Sequence, residues 1–373
     1  MEVRIVMKQF SSRHYVPILR WKEAERTALS QLHESDSIFI TPLIELVPEN
    51  FIRKDRKGKI IILNTDGVIN EIVRQIYQSW GERPFFIDQW LLTPTIIKQD
   101  TSYILEMLGE CAIIHNLSLI PVTGLSRDVL YQESVKKVLG IHHQGACLRL
   151  FIDDFKSPTL KKDIDKLVVL LNLPPESLDI IVDFRITDQP PQKFDAIYSK
   201  MPSVEKWRNL IIASGAFPED LSKLHKNDVH YLERTDWISW KDQVTSKSLP
   251  RIPIYSDYTI QHARYIRREG QAYPSASIRY TSDDYWLIMR GEAIKRDGPG
   301  PAQWQANAML LCDMPEYCNH TFSEGDKYIK EISLQRKETG NTTTWLIAGI
   351  NHHMTFAVHQ IANLSGISID ASR

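Results

Sequence analysis

Residues 147–184 read CLRLFIDDFKSPTLKKDIDKLVVLLNLPPESLDIIVDF, and this stretch decides the fold class. It opens with an apolar run, passes through a charged segment with a helix-like stretch at 161–171, and ends in a second apolar run. Both runs are almost continuously apolar, as expected for strands that are buried on both faces of a parallel sheet. The pattern therefore predicts two parallel strands joined by a helical crossover.

The same kind of unit recurs along the first two thirds of the chain. Apolar runs that favour strands lie at 15–20, 38–46, 84–90, 117–123, 147–153, 178–184, 209–214 and 253–258. The segments between them that favour helices lie at 22–32, 69–80, 134–139, 161–171, 202–207 and 235–244. Eight strands that alternate with helices over roughly 250 residues are typical of a (β/α)8 barrel.

A doubly wound open sheet is the competing architecture. Such a sheet usually has about six strands and often a glycine-rich phosphate loop after the first strand. Here the first run is followed by Trp21, Lys22 and Glu23, with no glycine. We therefore predict an α/β fold in which residues 1–260 form a TIM-type (β/α)8 barrel.

The sequence pattern changes after residue 260. Two strands are predicted at 277–281 and 285–290 around a Ser-Asp-Asp turn, and helices are predicted at 303–311, 323–334 and 345–364. We expect residues 261–373 to form an appended C-terminal α+β part that packs on the barrel. Because this part begins at the rim of the eighth strand, we also expect it to reach the barrel mouth and to place Arg279 against a ligand.

Composition and charge exclude several classes of protein. Lys and Arg number 45 and Asp and Glu number 46, so a general polyanion binder is disfavoured, although a local basic patch is compatible with this balance. No apolar run reaches the roughly 20 residues that span a bilayer, and the N-terminus does not resemble a signal peptide. The four cysteines lack CxxC spacing, which favours free thiols in a reducing compartment. We predict a cytoplasmic protein with no membrane association.

Barrel enzymes place their sites at the carboxyl ends of the strands, and ionisable residues are frequent there. We take as candidate catalytic residues Glu45, Asp88, Asp183 and Asp257. Carboxylates that share one rim repel one another unless a metal ion, an Arg or Lys partner, or a shared proton offsets their charge. A divalent cation is therefore one candidate cofactor, and candidate contacts for an anionic substrate are Lys22, Arg149 and Arg185. The alternative is that each carboxylate caps the following helix.

Histidines offer a second set of candidates. His352 and His353 lie in the last predicted helix, and we list both as candidate substrate contacts, with structural packing as the alternative. The zinc-protease pattern H-E-x-x-H is absent. The pair at 142–143 precedes the fifth strand, so it is expected at the opposite end of the barrel. The basic segment 261–270 would either contact phosphates or be a solvated loop.

Several motifs resemble those of a known family. Residues 15–22 read YVPILRWK and residues 40–48 read ITPLIELVP; further along come ASGAFP at 213–218 and IAGINHH at 347–353. Together these segments resemble the phage- and prophage-associated Beta protein family over nearly the whole chain. The resemblance implies a mobile-element or anti-phage defence context. It implies no particular reaction.

Two functions are compatible with these residues, so whether the protein is an enzyme is left open. The first is a hydrolase, metal-assisted or not, that acts on a phosphate-bearing small molecule, a nucleotide or a nucleic acid. The second is a non-catalytic binding or sensor module that docks a partner protein in a defence complex. In that case Trp286, Trp304 and Trp345 would form the contact, since Trp is enriched at interfaces.

Overall fold

The computed structural model describes residues 9–11, 13–55, 57–93, 101–187, 193–246, 249–267, 274–295 and 298–364. The strands are β1 (Tyr15–Arg20), β2 (Leu43–Glu45), β3 (Ile52–Lys54), β4 (Ile60–Ile62), β5 (Phe85–Asp88), β6 (Leu119–Thr123), β7 (Ala146–Phe151), β8 (Leu178–Ile186), β9 (Asn209–Gly215), β10 (Asp228–Glu233), β11 (Ile254–Asp257), β12 (Ile278–Thr281) and β13 (Tyr285–Arg290). The helices are α1 (Glu23–Ser30), α2 (Glu34–Ser37), α3 (Thr65–Trp80), α4 (Thr101–Ile114), α5 (Val129–His142), α6 (Leu160–Leu171), α7 (Phe194–Lys200), α8 (Thr235–Ser246), α9 (Ala302–Cys312), α10 (Glu324–Ser333) and α11 (Thr342–Leu364).

Eight of these strands close into one barrel in the order β1-β11-β9-β8-β7-β6-β5-β2, and β2 returns to β1. Every neighbouring pair in the barrel is parallel. Each predicted apolar run contains one barrel strand, so the predicted (β/α)8 barrel is confirmed and the open sheet is excluded. In the described residues no helix is long and apolar enough to span a membrane. The four cysteines are free thiols.

One predicted helix is wrong. Residues 202–207 form turns and bends. The helix that precedes β9 is α7, which ends at Lys200. Met201 is extended, with φ −91° and ψ 143°, because a following proline disfavours the helical region at the residue before it. The Trp207 indole then donates to the Pro202 carbonyl at 2.9 Å and closes the turn.

Alternation along the strands decides which side chains enter the barrel. One apolar cluster fills the interior and includes Ile18, Leu43, Phe86, Cys147, Ile181, Ile211 and Ile254. The residues between them belong to a second cluster beneath the helices. Since successive strand residues face opposite sides, a residue two positions after an interior one also points inward. Glu45, Asp88, Arg149 and Asp183 satisfy this rule, whereas Asp257 lies three positions after Ile254 and points outward.

The C-terminal part is built around a three-stranded antiparallel sheet of order β10-β13-β12. The two strands and three helices predicted after residue 260 are present as β12, β13, α9, α10 and α11. The sheet also recruits β10, which lies before residue 260 and was not predicted. Asn351 of α11 connects this part to the barrel layer: its amide donates to the Ala28 carbonyl at 3.1 Å and its Oδ1 accepts from Gly325 N at 2.9 Å.

We expect the close packing of α10 on α11 to be sensitive to one methyl group. A Cβ added at Gly325 would lie 2.2 Å from the backbone oxygen of Ala348, so Gly325→Ala would force the helices apart. Overpacking of this kind costs about 1–3 kcal/mol, and calorimetry should show a melting temperature lower by several degrees. The control is Gly140→Ala in α5, which meets nothing within 4 Å and should be neutral or slightly stabilising. A Gly325→Ala variant that melts like the parent protein would contradict this packing.

Candidate functional site

Arg149 lies at the centre of the carboxyl end of the barrel. Its Nη1 donates to Glu45 Oε1 at 2.8 Å and to Asp88 Oδ2 at 2.7 Å. Its Nε and Nη2 donate to Asp183 Oδ2 at 3.0 and 2.6 Å, and Nη2 also donates to the Tyr258 hydroxyl at 2.9 Å. A guanidinium has five N–H donors, and all five are used. Arg149 therefore holds the carboxylates together and has no donor left for a substrate, contrary to the predicted substrate contact.

The structure brings three of the four predicted catalytic carboxylates together through this one arginine. Glu45, Asp88 and Asp183 are all buried, and each accepts from Arg149. Their negative charge is offset by an arginine partner, which is one of the three possibilities named in the sequence analysis. The described residues contain no group of three or more His, Cys, Asp or Glu arranged to hold a metal ion, so a divalent cation gains no support from them.

The oxygens of Asp88 and Asp183 are fully committed to donors. Asp88 Oδ1 accepts from Arg127 Nη2 and from the Trp90 backbone at 2.9 Å. Asp183 Oδ1 accepts from the Arg185 backbone at 2.8 Å, and its Oδ2 also accepts from the Tyr258 hydroxyl at 2.5 Å. Each aspartate thus bonds to the amide two residues later, which is an Asx turn rather than a helix cap. This turn lies at the end of β5 for Asp88 and at a register shift within β8 for Asp183. These two side chains are positioning groups for the mouth.

Glu45 differs from the two aspartates because one of its oxygens is uncommitted. Its Oε1 accepts from Arg149, but its Oε2 lies 3.9 Å from Arg20 Nε, beyond hydrogen-bond distance. Arg20 Nε is itself buried without a hydrogen-bond partner. Its Nη2 donates to the carbonyls of His262 and Ala263 at 2.8 Å. Among the three clustered carboxylates, Glu45 is therefore the one with an oxygen that accepts no hydrogen bond.

An aromatic pair lies beside the charged cluster. The rings of Trp90 and Phe151 have centroids 4.6 Å apart, and both are half-buried. The guanidinium carbon of Arg185 lies 5.8 Å from the Trp90 ring and 5.3 Å from the Phe151 ring, and that of Arg127 lies 5.4 Å from Trp90. These distances permit cation–π contacts. Arg185 has a positive φ of 59°, a conformation that is uncommon for a residue with a side chain.

Lys22 lies on another part of the same rim. Its Nζ is 5.0 Å from the ring of Tyr265, which belongs to the basic segment predicted at 261–270. Residues 261–267 of that segment are described and cross the barrel end near β1, where Arg20 binds two of their carbonyls. In the described part of the chain, neither Lys22 nor Arg185 has a carboxylate within ion-pair distance. Both side chains are half-buried.

Asp257 is not part of this cluster, contrary to the expectation that the four candidate carboxylates share one rim. It points to the outer face of the barrel wall, where it accepts from the hydroxyls of Tyr15 at 2.5 Å and Tyr255 at 3.0 Å. It also accepts from Thr259 N and pairs with His353 Nε2, each at 2.9 Å. The reason is that Asp257 lies an odd number of residues after the inward-facing Ile254, so its side chain points to the opposite face of β11. Whether Asp257 has a catalytic role stays a prediction.

The two predicted histidine contacts are buried away from the mouth. His353 Nδ1 lies 2.9 Å from the Thr281 hydroxyl, so both of its ring nitrogens have protein partners. His352 Nδ1 lies 2.8 Å from Asp326 Oδ2, and its Nε2 lies 2.8 Å from the Thr281 carbonyl. Both residues are fully buried. The structural-packing alternative accounts for these positions, and neither ring faces a ligand at the mouth.

The charge state of the Asp257–His353 pair follows from its partners. Burial by itself raises the pKa of Asp257, but the charge and hydrogen bond of His353, together with the hydroxyl of Tyr15, lower it to about 2. Burial lowers the pKa of His353, and Asp257 offsets only part of this effect. The arrangement favours an ionised Asp257 that accepts a hydrogen bond from His353 Nε2–H.

Arg279 lies at the rim, and two of its contacts are to residues outside the charged cluster. Its Nη1 donates to the Ile260 carbonyl at 2.9 Å, and its guanidinium lies 4.8 Å from the Phe217 ring. These partners belong to the segments that follow β11 and β9. Arg279 therefore links β12 to two rim segments, and its contact with a ligand stays a prediction.

Sequence reasoning missed three members of the charged cluster, as well as the aromatic pair Trp90 and Phe151. Arg127 lies in the loop after β6, and no strand-end rule points to it. Arg20 and Tyr258 are the inward-facing residues at the ends of β1 and β11, and counting by twos from Ile18 and Ile254 would have found both.

The fold and the site define an α/β protein of the (β/α)8-barrel class with a charged, aromatic-lined mouth at the carboxyl end of its strands. The model of a protein family described as "Beta protein" matches residues 15–359. The chain belongs to the Beta protein family. A search of curated proteins finds no match to this chain.

We expect Arg149→Met to destabilise the fold strongly and in a pH-dependent way. Removing one partner from buried ion pairs costs about 3–5 kcal/mol, because it leaves uncompensated charge. Burial alone would raise the pKa of Asp88, but Arg127 and Arg149 hold it below its ordinary 3.8. The ionised group therefore stabilises the parent protein above the unfolded-state pKa, and that contribution is lost as the pH falls through the folded-state value.

In the variant Asp88 should favour the protonated form, because burial raises its pKa and one of its two arginine partners is gone. Urea unfolding should thus show a stability difference that is largest at neutral pH and narrows toward about pH 4, near the ordinary pKa of aspartate. Adding Asp183→Asn to the variant should recover part of the loss. A difference that is small at neutral pH, or one that widens on acidification, would be inconsistent with this cluster.

Proposed function

We propose that the carboxyl end of the barrel binds a phosphate-bearing ligand, a nucleotide or a nucleic acid, in a mobile-element or anti-phage defence context. The observation that carries the proposal is the presence of half-buried cations without carboxylate partners in the described chain: Lys22 and Arg185. Arg149, Arg127 and Arg20 together balance the charge of the three nearby carboxylates, so Lys22 and Arg185 are left to an external anion. Arg and Lys side chains are the usual partners of phosphate oxygens.

The aromatic pair supports a ligand that also carries a base. Trp90 and Phe151 are half-buried beside Arg185, so a planar ring has apolar faces against which to stack. Nucleobases stack on aromatic side chains with a gain of about 1–3 kcal/mol per base. Arg127, which is ion-paired with Asp88, also lies next to Trp90. Cations and aromatic rings on one rim therefore favour a nucleotide unit over a simple anion.

Hydrolysis at the same site is a second candidate function, and Glu45 is the observation that favours it. The uncommitted Oε2 can take a proton from water while the water oxygen attacks phosphorus. The bond from phosphorus to the leaving oxygen breaks, its electron pair goes to that oxygen, and the cations of the rim stabilise the charge. Arginines take the electrostatic role in this proposal, and no metal ion is assigned one.

The predicted docking surface for a partner protein finds no support in the three tryptophans. Trp286, Trp304 and Trp345 are buried, with exposed fractions of 0%, 1% and 4%. They pack in the core of the C-terminal part and between that part and the barrel. A partner protein in a defence complex would need another surface.

Ligand binding can be tested with Lys22→Ala and Arg185→Ala. We expect a panel of nucleotides to include compounds that raise the melting temperature of the parent protein. Each variant should bind those compounds at least about tenfold more weakly by calorimetry, since one charge-assisted contact is worth about 1.5–3 kcal/mol. The control is Lys206→Ala, an exposed lysine next to the amino end of β9. Equal affinities in all three variants, or no binding in the parent, would refute the proposal.

The hydrolytic role can be tested with Glu45→Gln. Glutamine keeps an oxygen for Arg149 but is not a base, so turnover of a bound compound should fall about 100-fold or more while affinity changes little. Phosphate release and calorimetry measure the two effects separately. The control is Glu205→Gln, an exposed glutamate near the amino end of β9, which should retain full turnover. Full turnover in Glu45→Gln would exclude this residue as the base.

A further inference from the structure

A basic β-hairpin follows β2 at the same end of the barrel. Strands β3 and β4 pair antiparallel in the register Ile52↔Ile62, Arg53↔Ile61 and Lys54↔Ile60. Ile52 is buried at the base, whereas the rest of β3 is exposed. Since the segment joins the end of β2 to the start of α3, it belongs to the loops of the barrel mouth. The hairpin was not predicted from the sequence.

The charge of this hairpin is not balanced within it. Residues 52–62 read IRKDRKGKIII, with five basic residues and one acidic residue. That residue, Asp55, closes the turn: its Oδ1 accepts from the backbone N of Lys57 at 2.8 Å and of Lys59 at 2.9 Å. In the described residues Arg53, Lys54, Lys57 and Lys59 are exposed and have no ion-pair partner. A protein with a net charge of −1 thus concentrates cations at this one place.

Exposed apolar side chains accompany these cations. Ile60 and Ile62 are 46% and 40% exposed, which is unusual for isoleucine in a short strand. Ile60 lies opposite Lys54, so both side chains project from the same face of the hairpin. The face therefore offers a charge for a phosphate and an apolar surface for a sugar or base.

The base of the hairpin is physically joined to the candidate site. Asn50, just before β3, donates from Nδ2 to the Trp21 carbonyl at 2.8 Å, next to Lys22. Glu49 accepts from the Tyr265 hydroxyl, and the Tyr265 ring lies beneath Lys22 and Arg20. The hairpin therefore begins next to the rim cations Lys22 and Arg20.

We propose that the ligand is a single-stranded nucleic acid, with one terminal nucleotide in the barrel mouth and the adjoining phosphates on the hairpin. This inference rests on the proposed phosphate-binding function and names the class of its ligand. A free nucleotide would use the rim cations and the aromatic pair but would have no use for the hairpin. Single-strand binders combine a positively charged path for the backbone with aromatic rings for the bases, and both features are present at the carboxyl end of this barrel.

The test compares an oligonucleotide with a mononucleotide on the full chain. Lys57→Glu/Lys59→Glu should weaken binding of a labelled single-stranded oligonucleotide, measured by fluorescence anisotropy, by about tenfold to a hundredfold. The salt dependence of that affinity should also become shallower by about two units of slope. Mononucleotide affinity, measured by calorimetry, should stay within about twofold, because the hairpin does not contact the mouth ligand.

A matched control has the same change in net charge at distant sites. Lys206→Glu/Lys327→Glu alters exposed lysines near the amino end of β9 and on α10, and it should leave oligonucleotide binding within about twofold. Equal loss in both double variants would show a general charge effect and overturn the inference. So would a parent protein that binds an oligonucleotide no more tightly than a mononucleotide, although the proposed function would then stand.

Two further outcomes also decide the question. If the parent binds neither compound, the proposed function fails together with the inference. If the hairpin variant keeps its oligonucleotide affinity but loses binding to vesicles of anionic lipid, the hairpin serves a membrane surface and the nucleic-acid assignment is overturned. Circular dichroism and the melting temperature of each variant establish that it is folded.

Discussion

The barrel mouth depends on the guanidinium of Arg149, which meets three carboxylates and a tyrosine hydroxyl inside a closed ring of strands. A buried carboxylate without compensation would take up a proton or destabilise the fold. Three negative charges come from β2, β5 and β8, and three positive charges come from Arg149, Arg127 and Arg20. This balance ties distant strand ends to a common centre. It also explains why the carboxylates are poor metal ligands, since guanidinium donors already engage them.

The strand order of the fold could be predicted because a strand buried on both faces is an apolar run that stands out from its flanking helices. That same property conceals which face each residue takes. Asp257 was assigned to the mouth because it ends a strand, yet Ile254 sets the phase and places Tyr258 inside instead. Helix α4 was overlooked although its buried Ile104, Leu108 and Ala112 have helical spacing. Both errors arise because each segment was interpreted from its apolar content, without first working out the periodicity of its buried residues.

Other features required the three-dimensional structure. Arg127 bonds to Asp88, 39 residues away, from a loop that no periodic pattern marks. Strand β10 pairs with β13 across more than fifty residues of chain, so this sheet contains strands from both sides of residue 260. The role of Arg149 was also hidden, because sequence shows that a cation is near the rim but not whether its donors are already used. Long-range pairing decides all three, and local propensity carries no information about it.

The end of β11 connects the C-terminal part to the mouth through two consecutive residues. Asp257 points outward to His353 of α11, and Tyr258 points inward to Arg149 and Asp183. The following residue, Thr259, has a φ of 57°, and its backbone N–H donates a hydrogen bond to Asp257 Oδ1. The backbone here is therefore fixed from both faces of the barrel wall. His353 of α11 and Arg149 of the mouth are therefore linked through two consecutive residues at the end of β11.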